Sequence, residues 1–164
     1  MDPPPRAAVI TVSDSRGSRH LRDVSGDLIV ERLHSLPATI VQRDIVADSI
    51  DEIQAAVRQA MRDAALIVLT GGTGLGPRDV TPQALVPLLD YQVPGMSEAM
   101  RHDGVERTPH AMLSRQVVGV AQGCLIISLP GHPDAVAQSL DSIWGAVSHA
   151  LDLLRGETAD HVPG

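Results

Sequence analysis

Residues Leu66 to Gln83, LIVLTGGTGLGPRDVTPQ, restrict the fold more than any other stretch of the chain. Leu66 to Leu69 is short, wholly apolar and rich in branched side chains, the pattern of a buried strand. It leads straight into a loop holding Gly71, Gly72, Thr73, Gly74 and Gly76. Thr81 and Pro82 then read as an N-cap and a first-turn proline, the start of a helix. Glycines permit positive φ and let a ligand approach the backbone closely. Amides gathered at a helix N-terminus suit an anion, usually phosphate.

The two familiar phosphate loops do not fit. A P-loop needs a lysine after its glycines. Here Pro77 and Arg78 follow, and all thirteen basic residues of the chain are arginine. The dinucleotide fingerprint needs a third glycine where Pro77 stands. The loop carries an acid instead, Asp79. A carboxylate beside a phosphate site repels its ligand unless a cation lies between them. Asp79 therefore either holds Mg²⁺ that bridges to phosphate oxygens or caps the helix entered through Thr81. The motif alone leaves both open.

The flanking segments set this unit in a sheet. Ala7 to Val12 and Thr39 to Val46 read as strands, with a polar, Arg-rich loop at Arg16 to Asp23. A helix starting at Asp23 or Ser25 follows the first strand, with Leu28, Ile29, Leu33 and Leu36 at helical spacing. The capping box Ser49-x-x-Glu52 opens another, expected to run to about Ala64. Three strands each followed by a helix predict a parallel sheet, which binds ligands at the carboxyl ends of its strands. That geometry would gather Ser13, Asp14, Asp48 and the Asp79 loop. Each is an ordinary turn or capping residue by itself. Together they favour a metal–nucleotide site.

Residues 81–104 read as two helices broken at Pro94-Gly95, and an irregular piece begins at Thr108-Pro109. Val117 to Ala121 and Cys124 to Leu129 form a tight hairpin about Gln122-Gly123. A long helix after Pro133 carries Val136, Leu140, Ile143, Val147, Ala150, Leu151 and Leu154 along one side. The expected fold class is α/β: a three-layer α/β/α sandwich around a mainly parallel sheet with one antiparallel strand. A single domain is expected at 7–155, with flexible tails at 1–6 and 156–164.

Composition narrows the partners. The net charge of −7 argues against nucleic acid or an anionic membrane. With Tyr91 and Trp144 as the sole Phe, Tyr or Trp residues, stacking platforms for exposed bases are not expected. Cys124 is alone in an apolar run, so it reads as a small buried hydrophobe, and no disulfide framework exists. With no signal-peptide core and no apolar run of bilayer length, a cytoplasmic protein is expected.

The motif T-G-G-T-G, then Leu75-Gly76, then P-R-D-V-T-P, at Thr70 to Pro82, resembles the signature of the molybdenum cofactor biosynthesis family. The likeness is to its molybdopterin adenylyltransferase group, which includes the Mog and MoaB proteins. Val12-Ser13-Asp14, Pro94-Gly95-Met96, Thr108-Pro-x-Ala-Met-Leu-Ser-Arg115 and Leu129-Pro130-Gly131-x-Pro133 fall in the family's order. The resemblance implies Mg²⁺-dependent transfer of AMP from ATP to the phosphate of molybdopterin, releasing pyrophosphate. The alternative is a non-catalytic protein that binds molybdopterin or its precursor. The resemblance implies Asp48 and Asp79 at the metal and the α-phosphate. Phosphate and nucleotide would be bound by Gly71, Gly72, Thr73, Gly74, Arg78, Ser114, Pro130 and Gly131, with Ser13 and Asp14 at the pterin end. Arg78 and Arg115 would supply the positive charge that lysine usually brings. His132, where the family often has Asn, Ser or Gln, reads as a helix cap. A trimer, or a hexamer of trimers, and hand-over to a molybdate-inserting partner are implied as well.

Overall fold

A computed structural model describes residues 3–15 and 21–156. Residues 16–20, within the expected Arg-rich loop, and 1–2 and 157–164, within the two expected tails, lie outside the described residues. Six strands form one sheet: β1 (Arg6–Val12), β2 (Thr39–Val46), β3 (Leu66–Thr70), β4 (Tyr91–Gln92), β5 (Val118–Ala121) and β6 (Cys124–Leu129). Their order is β2-β1-β3-β6-β5-β4. β1 pairs parallel with β2 and β3, and β3 parallel with β6. β5 is antiparallel to both its neighbours, so it alone opposes the rest.

Among the described residues five helices cover the sheet: α1 (Val24–Ser35), α2 (Ile50–Ala60), α3 (Thr81–Leu85), α4 (Pro94–Arg107) and α5 (Pro133–Arg155). Strands β3 and β6 are buried along their whole length because both faces are covered. On one face Ala7, Val9, Leu66, Val68, Leu125 and Ile127 pack with Ile29 of α1, Met100 of α4 and Val136 and Leu140 of α5. On the other, Ala8, Ile10, Ile67, Leu69 and Ile126 pack with Ile53 and Val57 of α2 and Leu85 of α3. This is the three-layer sandwich expected. The α5 stripe predicted from spacing is buried at Val136, Leu140, Ile143, Val147 and Leu151. No helix among the described residues is long and apolar enough to cross a membrane.

Local chemistry explains most boundaries. Ser49 accepts the Glu52 amide at 3.4 Å and opens α2, as the capping box predicts. Asp23 caps α1, accepting from the Gly26 amide at 3.0 Å and from the Thr11 hydroxyl at 2.6 Å, which fixes the helix on β1. Gln122 (φ 51) and Gly123 (φ 75) make the hairpin turn with both central residues left-handed. Four expectations are corrected. Helix α2 ends at Ala60, and β5 starts at Val118. The span from 81 is one short helix, a 3₁₀ turn at Val86–Leu88 and the strand β4, with Pro94 starting α4 in the first-turn position that tolerates proline. The piece after Thr108 is a 3₁₀ helix, Pro109–Leu113, capped by the Thr108 hydroxyl.

Candidate active site

The sheet order places a switch point between β1 and β3. The chain leaves β1 toward one side and β3 toward the other, opening a crevice at their carboxyl ends. Hydrogen bonds close its walls. The Ser13 amide donates to Val46 O at 2.9 Å. The Asp48 amide donates to Asp14 Oδ1 at 2.7 Å, and the Asp14 amide returns a bond to Asp48 Oδ2 at 3.2 Å. The ends of β1 and β2 thus hold their two carboxylates side by side.

The glycine loop needs its glycines for the fold itself. Gly71 has φ 98 and Gly72 φ 67. A Cβ on Gly71 would lie 2.3 Å from Val12 O, and one on Gly72 would lie 2.4 Å from Thr81 Oγ1. Thr81 is not the expected N-cap. Val80 holds that position, and the buried Thr81 hydroxyl donates to Gly71 O at 2.8 Å. Asp79 does not cap α3 either, since no side chain does so. Its Oδ2 accepts the Gly76 amide at 2.9 Å, which folds the carboxylate back onto the loop. The N–H groups of Gly72, Thr73 and Gly74 donate to no protein acceptor among the described residues. They are the donors a phosphate would need.

Two lobes meet at this loop. The first, about 400 Å³, is lined by Ser13, Asp14, Asp48, Gly71 and Arg78. The second, about 430 Å³, is lined by Thr73, Gly74, Ser114, Gln116, Pro130 and His132, with Arg101, His110 and Gln138 deeper along it. Gly72, Asp79 and Gly131 border both. Every site residue named from the sequence except Arg115 therefore lines one lobe or the other. The Thr70 hydroxyl donates to Pro130 O at 2.6 Å, and the Ser25 hydroxyl to Gly131 O at 2.8 Å, so the β3 and β6 loops are bound into one wall.

The electrostatics of the first lobe fit a hard cation. Burial, and secondly the charge of Asp79, push the Asp48 carboxyl above its ordinary range. A carboxylate whose ionisation is opposed in this way gains when a cation joins it to its neighbour. The donors are all oxygen, and no group of three or more acidic, His or Cys side chains among the described residues makes a complete metal cage. Mg²⁺ suits such a set, because it keeps several waters and takes one or two carboxylates with substrate phosphate.

Both arginines expected to supply charge have protein partners here. Arg78 ion-pairs with Asp14 across the mouth of the first lobe. Arg115 points into the loop, with its donors on protein oxygens. His132 is the N-cap of α5, as read from the sequence, its Nδ1 accepting the Asp134 amide at 3.3 Å. Arg101, His110, Gln116 and Gln138 were missed. They converge from α4, the 3₁₀ helix, the irregular segment before β5 and α5, and no local motif joins them.

Residues 8–149 match the model of the family described as "Probable molybdopterin binding domain". The chain is 44% identical over 156 residues to the molybdenum cofactor biosynthesis bifunctional protein of Synechococcus elongatus, covering 94% of this chain and 48% of that protein. It is 34% identical over 152 residues to the molybdopterin adenylyltransferase of Helicobacter pylori, covering 90% and 86% respectively. The crystal structure of the molybdopterin biosynthesis enzyme MoaB from Thermus thermophilus superposes with a TM-score of 0.86 at 40% identity, over 93% of this chain and 97% of that one. The chain spans about half the length of the bifunctional relatives it matches.

Proposed function

The chain belongs to the molybdopterin-binding-domain family of molybdenum cofactor biosynthesis, and from that premise we propose that it transfers AMP from ATP to the phosphate of molybdopterin. A molybdopterin phosphate oxygen would form a bond to the α-phosphorus of ATP. The bond from that phosphorus to the bridging oxygen would break, and pyrophosphate would leave with the electron pair. The acceptor is already anionic, so no strong general base is required. The protein's work is positioning and neutralising charge.

One observation carries this reading: two lobes share Gly72 and Asp79, with Asp48 lining one of them and the loop amides of Gly72, Thr73 and Gly74 open to a ligand. The lobes would take the two heterocyclic ends of the substrates and the seam their phosphates. Ser114, Pro130 and Gly131 would hold a ring in the larger lobe. Gly71 would shape the loop, and the amides of Gly72, Thr73 and Gly74 would hold phosphate oxygens. Ser13 and Asp14 would lie at the pterin end. Asp48 and Asp79 would hold Mg²⁺, which supplies neutralisation of phosphate charge when bound. Arg78 would leave Asp14 for a phosphate, consistent with its exposed position on the loop tip.

We place the reaction in the cytoplasm and expect the chain to act as a trimer or a hexamer of trimers. The Synechococcus relative is bifunctional, which supports passing the adenylylated product to a second, molybdate-inserting activity. Pyrophosphate release from ATP that requires both Mg²⁺ and molybdopterin tests the proposal. Release without molybdopterin, or none at all, refutes it.

A further inference from the structure

Resting on that reading of the site, we infer that Arg115 is a positioning residue that sets Asp79 for the metal and does not bind substrate phosphate. Its backbone amide donates to Thr73 O at 2.7 Å. Its Nε donates to Gly74 O at 2.8 Å, and its Nη2 to Asp79 O at 2.7 Å. Its Nη1 reaches Gln83 Oε1 at 3.3 Å. One side chain therefore spans the base of the loop tip, from Gly74 on the way out to Asp79 on the way back. Between them the tip is exposed, and Leu75 is 64% accessible. Within the tip, the Asp79 amide donates to Gly76 O at 3.0 Å and the Gly76 amide to Asp79 Oδ2 at 2.9 Å. The carboxylate keeps its aim only while the loop base stays closed.

The other end of the brace is anchored. Arg101 Nη1 donates to Ser114 O at 3.3 Å and Gln116 O at 3.2 Å, and the Ser114 hydroxyl donates to Gln116 Oε1 at 2.7 Å. Residues 114–116 are a strap with the wall of the larger lobe on one side and the glycine loop on the other. A guanidinium suits this task because its donors form a rigid planar fork, whereas an ammonium is a point charge. The chemistry separates two roles for Arg115. A phosphate contact needs the charge, and a brace needs the fork.

The test is Mn²⁺ affinity by electron paramagnetic resonance in the presence of ATP, on the full chain and on Arg115→Lys and Arg115→Met. Both variants should bind Mn²⁺ about tenfold or more weakly, with molybdopterin affinity changed by less than about twofold. Near-normal Mn²⁺ affinity in Arg115→Lys beside a loss in Arg115→Met would mean that charge alone matters, and would overturn the inference. Normal affinity in both, with a lower melting temperature, would overturn it too, leaving only a structural brace. Should the variants fail to fold, the Arg115 Nε–H resonance of the wild-type protein decides. An unmoved, exchange-protected signal on adding Mg²⁺ and ATP supports the brace, and a large shift overturns it. If the wild type binds Mn²⁺ with ATP yet forms no adenylylated pterin, the transferase reading fails while the Mn²⁺ titration still judges Arg115. A wild type that binds no Mn²⁺ refutes both.

Discussion

Asp48 is held where its ionisation works against the fold. Burial first, and then the charge of Asp79, raise its pKa. The folded protein thus binds the Asp48 proton more tightly than the unfolded chain does. The stability associated with protonated Asp48 is lost as pH rises through the folded pKa. Asp48→Asn should therefore raise the melting temperature of the ligand-free protein, and the gain over wild type should grow from acidic to neutral pH. The same change should remove the melting-temperature increase that Mg²⁺ with ATP gives the wild type. A variant no more stable than wild type at neutral pH would argue that the carboxylate is not strained. Asp79→Asn should keep the fold and lower Mg²⁺-dependent turnover by roughly a hundredfold or more, read by initial rates. Turnover near the wild-type level would remove Asp79 from the metal.

At the scale of elements, the glycine loop divides into positions that serve the backbone and positions that serve the site. Gly72→Ala should lower the melting temperature, because alanine at positive φ costs about 1 kcal/mol or more and its Cβ would strike Thr81 Oγ1. Gly74 has no such φ, and its Cβ would meet only the Asp79 carboxylate, Oδ2 at 2.9 Å and Cγ at 3.5 Å. Gly74→Ala should keep the melting temperature and weaken binding of ATP with Mg²⁺, measured by calorimetry. The reverse pattern would make Gly74 the structural glycine. At α5, His132→Ala should cost about 1 kcal/mol by denaturant unfolding, and His132→Asn much less, since a short polar cap replaces the imidazole. Strands β2 and β6 and the capping box were legible because local residues decide them. Strand β4 was not, since Tyr91 and Gln92 become a strand only by pairing with β5. The acids and glycines of the site were legible because strand ends and a loop announce them. The role of Arg115 was hidden: its acceptors are backbone carbonyls 41 and 36 residues away, which no side-chain motif records.

On the scale of the whole molecule, several large apolar side chains lie exposed on the surface. Met112 is 64% accessible, and it shares a groove with Val105, Arg101, His102 and Glu106. Light scattering at micromolar concentration should give about three or six times the 17.3 kDa of one chain, and a monomer would contradict the expected assembly. The architecture brings the ends of β1, β2, β3 and β6 to one crevice and leaves two lobes on either side of one loop, a layout suited to joining two phosphorylated molecules. The most direct measurement of that claim uses ATP labelled at the α-phosphate, incubated with the protein, molybdopterin and Mg²⁺. The label should move to the pterin as adenylyl-molybdopterin, with one pyrophosphate released for each transfer. Molybdopterin bound to the protein while all label stays in ATP would contradict it.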